Sequence, residues 1–275
     1  MRRITARVFQ VVSVIALLLF AAQSHTSLAQ TTNTNSGQTA AAAPDQRQWL
    51  SITVVSVKPE MMNEFQNFVK NETNPALRKG GAMWREVWQT TAVAGEAFEY
   101  VIVAPIDNFA QYDGPSPLEK GLGKEGLAAW QAKASRYINS VRRFVIRTRP
   151  DLSYEGKRTG PPKLAVVSHL HVAPGRGQDF ENYTKNDFLP VVKQGQVTYR
   201  VAETIFGGDA NEFVTLTLRE SFADIDKGPL AVQVLGAEGA AKLFQKLPAG
   251  TLVHVERSFA RYVPELSIMP AEAAK

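Results

Sequence analysis

The sequence predicts an α+β protein in which one β-α-β-β-α-β unit is used twice, and two observations carry that reading. First, the chain repeats itself: VKPEMMNEFQNFVKNETNPALRKGG, from Val57, returns as VAPGRGQDFENYTKNDFLPVVKQGQ, from Val172. Pro59 matches Pro174, Phe65 matches Phe180 and Arg85 matches Arg200 at one constant separation, so no gap is needed from Trp49 to Val103. Farther on, Leu122-Gly123-Lys124-Glu125-Gly126 matches Leu235-Gly236-Ala237-Glu238-Gly239, and Arg149-Pro150-Asp151-Leu152-Ser153 matches Val263-Pro264-Glu265-Leu266-Ser267. Second, within each copy short β-branched runs alternate with runs of helical apolar spacing in the same order.

The segments follow in chain order. Residues 1–29 read as an export signal: Arg2, Arg3 and Arg7 form a basic leader, VVSVIALLLFAA is too short an apolar run for a comfortable membrane span, and Ser27-Leu28-Ala29 offers small residues for cleavage after Ala29. Residues 30–48 open with the polar, non-periodic QTTNTNSGQTAAAAPD, a tether by composition. The first copy spans 49–153: a strand from Leu50 to Val57, a helix around Glu60–Lys79, a hairpin of Met83–Thr90 with Phe98–Ala104, a helix near Leu118–Lys133 and a strand from Asn139 to Arg149. YEGKRTGPP lies in the 154–162 linker. The second copy spans 163–267. It reads as strand Leu164–Val172, helix Gly177–Val192 ended or kinked by Pro190, hairpin Val197–Phe206 with Glu212–Arg219, helix Leu230–Gln245 and strand Thr251–Val263. Residues 268–275 are a C-terminal tail.

Composition narrows the chemistry. There is no cysteine, so disulfides, thiol catalysis and thiolate metal sites are excluded in a chain that reads as periplasmic or secreted. The formal net charge of +5 falls to +2 once the three leader arginines go, which gives no support for nucleic-acid binding. Stable membrane insertion after cleavage is not expected. No GxSxG, P-loop or dinucleotide fingerprint is present.

The element order is the split β-α-β motif. With the Val57-Lys58-Pro59 and Val172-Ala173-Pro174 openings and the tandem arrangement, it resembles the dimeric α+β-barrel group of the ferredoxin-like superfamily. That group includes antibiotic-biosynthesis-type monooxygenases, chlorite-dismutase-like haem proteins and small stress-response barrels. The resemblance covers nearly all of the chain beyond the leader, at the level of fold; no family-specific catalytic motif accompanies it. It implies two fused ferredoxin-like repeats forming a pseudo-dimeric α+β barrel, with helices outside and a cavity between the sheets.

Alternation then sorts side chains by face. On the first strand of the second copy, Leu170 and Val172 are expected against the helices and His169 and His171 in the cavity. On its third strand, Val214, Leu216 and Leu218 suit the helices and Phe213, Thr215 and Thr217 the cavity. On its last strand, Val255 and Phe259 suit the helices, leaving His254, Glu256, Ser258 and Tyr262 inward. Antiparallel pairing of first and last strands would bring His254 and Glu256 beside His171 and His169. Three readings stay open for this cluster. It could be a divalent transition-metal site of His169, His171, His254 and Glu256, for Zn²⁺, Fe²⁺ or Cu²⁺. It could be a ligand or acid/base site with His169 and His171 as catalytic groups. Or the histidines could simply sit on a half-wet sheet face.

Arg85 and Arg200, at matching positions, are candidates for holding an anionic ligand group, and Phe213 and Tyr100 for lining an aromatic pocket. The leading expectation is an exported small-molecule-binding barrel for an organic, partly apolar ligand that Arg200 and Arg85 would allow to be anionic. The alternatives are a cofactor-independent monooxygenase or isomerase acting on a phenolic or enolisable substrate, and an interaction module without ligand. Homo-oligomerisation is left open. N-terminal sequencing of the exported protein is expected to start at Gln30; an intact Met1 would mean that the leader is kept as an anchor.

Overall fold

The computed structural model describes residues 47–158 and 160–269; the expected leader, most of the tether and the end of the tail lie outside the described residues. Eight strands form one closed antiparallel ring: β1 (Trp49–Val57), β2 (Glu86–Thr90), β3 (Glu99–Ile106), β4 (Ile138–Thr148), β5 (Leu164–Val172), β6 (Tyr199–Phe206), β7 (Glu212–Arg219) and β8 (Leu252–Tyr262). The order around the ring is β1-β3-β2-β8-β5-β7-β6-β4. Within the N-terminal half, β4, β1, β3 and β2 are neighbours; within the C-terminal half, β8, β5, β7 and β6 are. Two seams join the halves: β2 with β8, through Trp88 opposite Tyr262, and β4 with β6, through Arg147 opposite Glu203. Closure leaves no sheet edge unpaired. Because every neighbour is antiparallel, the starts of β1, β2, β5 and β6 share one end of the ring, here called the linker end. The ends of those strands share the other, the histidine end.

Helices cover the outside. The helices are α1 (Met62–Phe68), α2 (Asn74–Lys79), α3 (Pro117–Ala134), α4 (Gly177–Tyr183), α5 (Leu189–Gln194), α6 (Ala223–Asp226) and α7 (Leu230–Gln245). Among the described residues no helix is long and apolar enough to cross a membrane. Between α1 and α2, and again between α4 and α5, the helix widens into a π turn, at Val69–Thr73 and Thr184–Phe188. Asn74 N bonds to Val69 O, and Leu189 N to Thr184 O. The cause is local. Pro75 and Pro190 follow at once, and a proline ring would strike the carbonyl four residues back in a regular helix. The wide turn removes that clash, so Pro190 reshapes its helix instead of ending it. The long helices α3 and α7 each break at a glycine of the repeated motif, Gly123 (φ 75°) and Gly236 (φ 73°), in a region that side chains with a Cβ rarely enter.

The shared RPDLS and VPELS segments explain how the halves hold together. After β4 the chain makes a turn at Pro150–Leu152, and Leu152 (1% exposed) enters the helix-side core of the C-terminal half, among Leu170, Phe180, Leu189 and Val201. After β8 it makes the matching turn at Pro264–Leu266, and Leu266 (1% exposed) enters the core of the N-terminal half, among Val57, Phe65, Phe68 and Val87. Each insertion is pinned in the same way. Ser153 Oγ accepts from Val201 N at 2.9 Å and donates to Arg149 O at 2.7 Å; Ser267 Oγ accepts from Val87 N at 2.9 Å and donates to Val263 O at 2.9 Å. The exchange is reciprocal, so neither half has a complete core alone.

Arg149 adds a latch that Val263 cannot supply. Its buried guanidinium donates to Glu181 on α4 at 2.6 and 2.8 Å and to Asp151 at 3.0 and 2.8 Å. These bonds hold both carboxyls below their usual pKa, against the opposing effect of burial. Leu152→Ala and Leu266→Ala are each expected to destabilise the whole barrel by about 2–5 kcal/mol, the range for emptying a buried leucine site. Urea unfolding measures this, and a single transition should persist in both variants.

Candidate functional site

A cavity of about 760 Å³ lies inside the ring, within the size range of small-molecule sites. Its wall follows from strand alternation. Leu50, Ile52 and Val54 of β1 face it, while Val55 and Val57 pack under the helices on Phe65 and Phe68. On β5, Val167 and His169 face it, while Leu170 and Val172 pack on Phe180. The middle is apolar, with Val101, Phe144, Ile146, Val214 and Leu216, and Trp88 lies against Tyr262 with ring centroids 5.2 Å apart. Polar side chains gather at the two ends.

At the histidine end, His169 on the cavity wall shares its Nδ1 with Glu212 Oε1 at 2.6 Å. Glu212 Oε2 accepts from Thr204 Oγ1 at 2.8 Å. Burial would raise the Glu212 carboxyl, but the hydrogen bonds from His169 and Thr204 and the nearby imidazoles outweigh it and hold the pKa below the usual range. The bond to Nδ1 fixes the ring and leaves Nε2 as its other nitrogen, the arrangement that prepares an imidazole to accept a proton. Glu99, also on the wall, goes the other way. Burial lifts its carboxyl above the usual range, against the Arg142 charge and a 3.5 Å hydrogen bond from Thr90 Oγ1. One end of the cavity thus holds a carboxylate kept ionised behind a histidine and a carboxyl biased toward its neutral form.

His171 and His254 lie beyond this end. They are cross-strand partners, as are His169 and Glu256, and the two imidazoles sit 5.5 Å apart, centroid to centroid. His171 Nδ1 is 3.1 Å from Asp209 Oδ2. The four expected metal ligands do not meet at one point: His169 is engaged by Glu212 and His171 by Asp209, and His254 and Glu256 are exposed. Among the described residues, no group of three or more His, Asp or Glu side chains could hold a metal ion.

At the linker end, Arg200 faces the cavity, with Glu86, Tyr154 and Glu155 around it. Arg85 does not. It lies on the helix side, 8% exposed, where Nη1 donates to Asn74 Oδ1 at 3.3 Å and burial pushes its pKa down to about 10. The cause is a register slip. On the cavity face Glu86 sits opposite Val103 and Arg200 opposite Leu216, so the hairpins superpose with Arg200 on Glu86, one residue off the ungapped match. One residue of slip moves a side chain to the other face.

Tyr100 and Phe213 are also on the helix side, not in the cavity. Tyr100 is fully buried against Phe65 at 5.1 Å, its hydroxyl accepting from Gln66 Nε2 at 2.7 Å. Phe213 packs on Phe180 at 4.6 Å. On β7 it is Val214 and Leu216 that face inward, because a sheet covered on both sides is apolar on both, and the polarity of the threonines does not mark the cavity. Glu212, Glu99 and Glu155 were not legible as site residues. Glu212 carried a signal, since antiparallel pairing of β5 with β7 places it opposite His171.

No family model and no curated protein sequence matches the chain. Solved structures do. A proposed monooxygenase of Lactobacillus acidophilus is 8% identical, with a TM-score of 0.52 over 78% of this chain and 94% of its own. A proposed monooxygenase of Fusobacterium nucleatum is 9% identical, with a TM-score of 0.53 over 78% and 91%. An anthrone oxidase-like protein is 12% identical, with a TM-score of 0.51 over 78% and 91%. At these identities the likeness is one of fold, an α+β barrel.

Glu212 contributes stability that is present above the ordinary carboxylate pKa, about 4.3. It is lost as the pH falls through the lower value in the folded protein. His169→Ala removes its chief hydrogen bond while burial remains, so the Glu212 carboxyl is expected to titrate at higher pH in that variant. Carboxyl ¹³C NMR reads this directly; an unmoved Glu212 would show that the pair does not form in solution.

Proposed function

We propose that this chain is an exported small-molecule-binding protein, two fused ferredoxin-like copies closed into a pseudo-dimeric barrel that takes an organic, partly apolar ligand between its sheets. The observation that carries the reading is the cavity itself: about 760 Å³, apolar at the waist and polar at both ends. Such a lining desolvates a ligand body of aromatic size while a few fixed polar groups orient it. The internal sequence repeat and the matching RPDLS and VPELS segments support descent of the two halves from one unit.

A second reading is favoured by one specific observation, the His169–Glu212 pair on the cavity wall. In that reading the protein is an enzyme without a bound cofactor. His169 takes a proton from a phenol or an enolisable carbon, and Glu212 stabilises the imidazolium that results. The reaction class is isomerisation, or oxygenation with dioxygen as the co-substrate that accepts the electrons of the deprotonated substrate, and the fold likeness to proposed monooxygenases fits it.

Calorimetric titration with 2-naphthol tests the binding reading. Ala202 lines the cavity, so Ala202→Phe should fill it and lower affinity by at least about tenfold, a loss of about 1.4 kcal/mol, in a variant whose circular dichroism is unchanged. Equal binding by both proteins would place the ligand elsewhere. Turnover of an enolisable probe that His169→Ala abolishes, with binding retained, would select the enzyme reading.

A further inference from the structure

The linker between the halves reaches one mouth of the cavity and puts a carboxylate on the arginine that faces the interior. Arg200 stands on the wall in register with Leu216. Its Nε donates to Glu155 Oε1 at 2.6 Å and its Nη2 to Glu155 Oε2 at 3.2 Å. This two-pronged geometry is how a guanidinium receives any planar carboxylate.

The two partners are held differently. Arg200 is part of β6, whereas Glu155 lies outside any strand or helix, with its side chain 57% exposed. The backbone on either side of Glu155 is pinned. Tyr154 and Tyr199 exchange backbone hydrogen bonds at 2.7 and 2.8 Å, and Gly156 N donates to Thr198 Oγ1 at 3.0 Å. A Cβ on Gly156 would lie 2.3 Å from Gln196 O, so this strap rests on the approach to β6 at backbone contact. Only the Glu155 side chain is left with room to leave, toward solvent. The other acid facing Arg200 is Glu86, whose Oε2 accepts from Trp88 Nε1 at 3.2 Å.

We propose that Glu155 is an internal stand-in for the carboxylate of the ligand. An organic carboxylate enters with its apolar body at the waist of the barrel, and its carboxylate replaces Glu155 on Arg200 as that side chain swings out. The inference rests on the cavity-binding reading. It deepens that reading by naming the ligand class and a residue that sets the affinity for it. A competing side chain has a distinctive signature: removing its charge strengthens carboxylate binding, while removing Arg200 weakens it. A salt bridge with a purely structural role gives no such opposition of sign.

Calorimetric titration of the exported protein with 2-naphthoate and its uncharged analogue 2-naphthamide separates the cases. Wild type is expected to bind both. Glu155→Gln should raise the affinity for 2-naphthoate by about fivefold, the scale of an exposed ion pair, and leave 2-naphthamide within about twofold. Arg200→Gln should lower 2-naphthoate to the level of the amide. Circular dichroism confirms that both variants fold. A naphthoate-to-naphthamide ratio that is unchanged or lowered in Glu155→Gln overturns the inference while the cavity reading stands. Failure of wild type to bind either compound overturns the cavity reading and this inference with it.

Discussion

Leu152 and Leu266 each complete a core that belongs to the other half, and the rest of the molecule depends on this exchange. A four-stranded sheet with helices on one face has its other face and two edges bare. The exchange brings the two sheets face to face, and the β2–β8 and β4–β6 seams then close the ring. Closure in turn makes an interior. Without it, Val101, Leu216 and Trp88 would be solvent-facing residues on two separate sheets, and no cavity would exist. Arg149 reinforces one side of the exchange through Glu181 and Asp151. The other side, with Val263 at the matching place, is held by the Ser267 hydrogen bonds, by the Asn74 Nδ2 bond to Leu266 O and by packing. The fold is thus near-symmetric in shape and asymmetric in electrostatics.

That asymmetry reaches the cavity. Val54 and His169 occupy matching places on β1 and β5, so only the C-terminal half puts an imidazole on the wall. Burial pushes two wall carboxyls upward alike, and their partners decide the outcome. Glu212 has donors in His169 and Thr204 and stays ionised; Glu99 has one long hydrogen bond and is pushed toward its neutral form. Groups whose environments drive their protonation states apart are the usual basis for dividing acid and base roles within one site. The apolar waist between the two ends supplies the desolvation that makes each charge count.

Much of this was legible in the amino-acid sequence. The strand Leu164–Val172, the strand Glu212–Arg219 and the helix Leu230–Gln245 were placed to the residue, because β-branched runs bounded by Pro and Gly, and a long alanine-rich stretch, leave little choice. Turning β5 so that His169 faced away from Leu170 and Val172 needed only alternation. The ungapped match of the two copies hides a one-residue slip in the hairpins, and that slip puts Arg85 on the other face. Phe213 and Tyr100, which occupy matching places on β7 and β3, lie on the helix side because apolar and polar residues alternate there without marking the cavity. A sheet buried on both sides offers no polarity contrast to reveal such a slip, as Val214 and Thr215 show on adjacent positions of β7. Glu212 and Glu155 were hidden differently. One is an ordinary strand residue and the other a linker residue until the third dimension brings His169 and Arg200 to them.

An organic ligand is expected to enter between the sheets and meet His169. A crystal soaked in 4-iodophenol measures this most directly, since the anomalous signal of iodine is element-specific and marks the molecule among lighter protein and solvent atoms. Iodine inside the ring, with the phenol oxygen within hydrogen-bond reach of His169 Nε2, is the expected result. Iodine found only on the outer surface, with Trp88 and Leu216 closed upon each other across an interior that admits nothing, would contradict it.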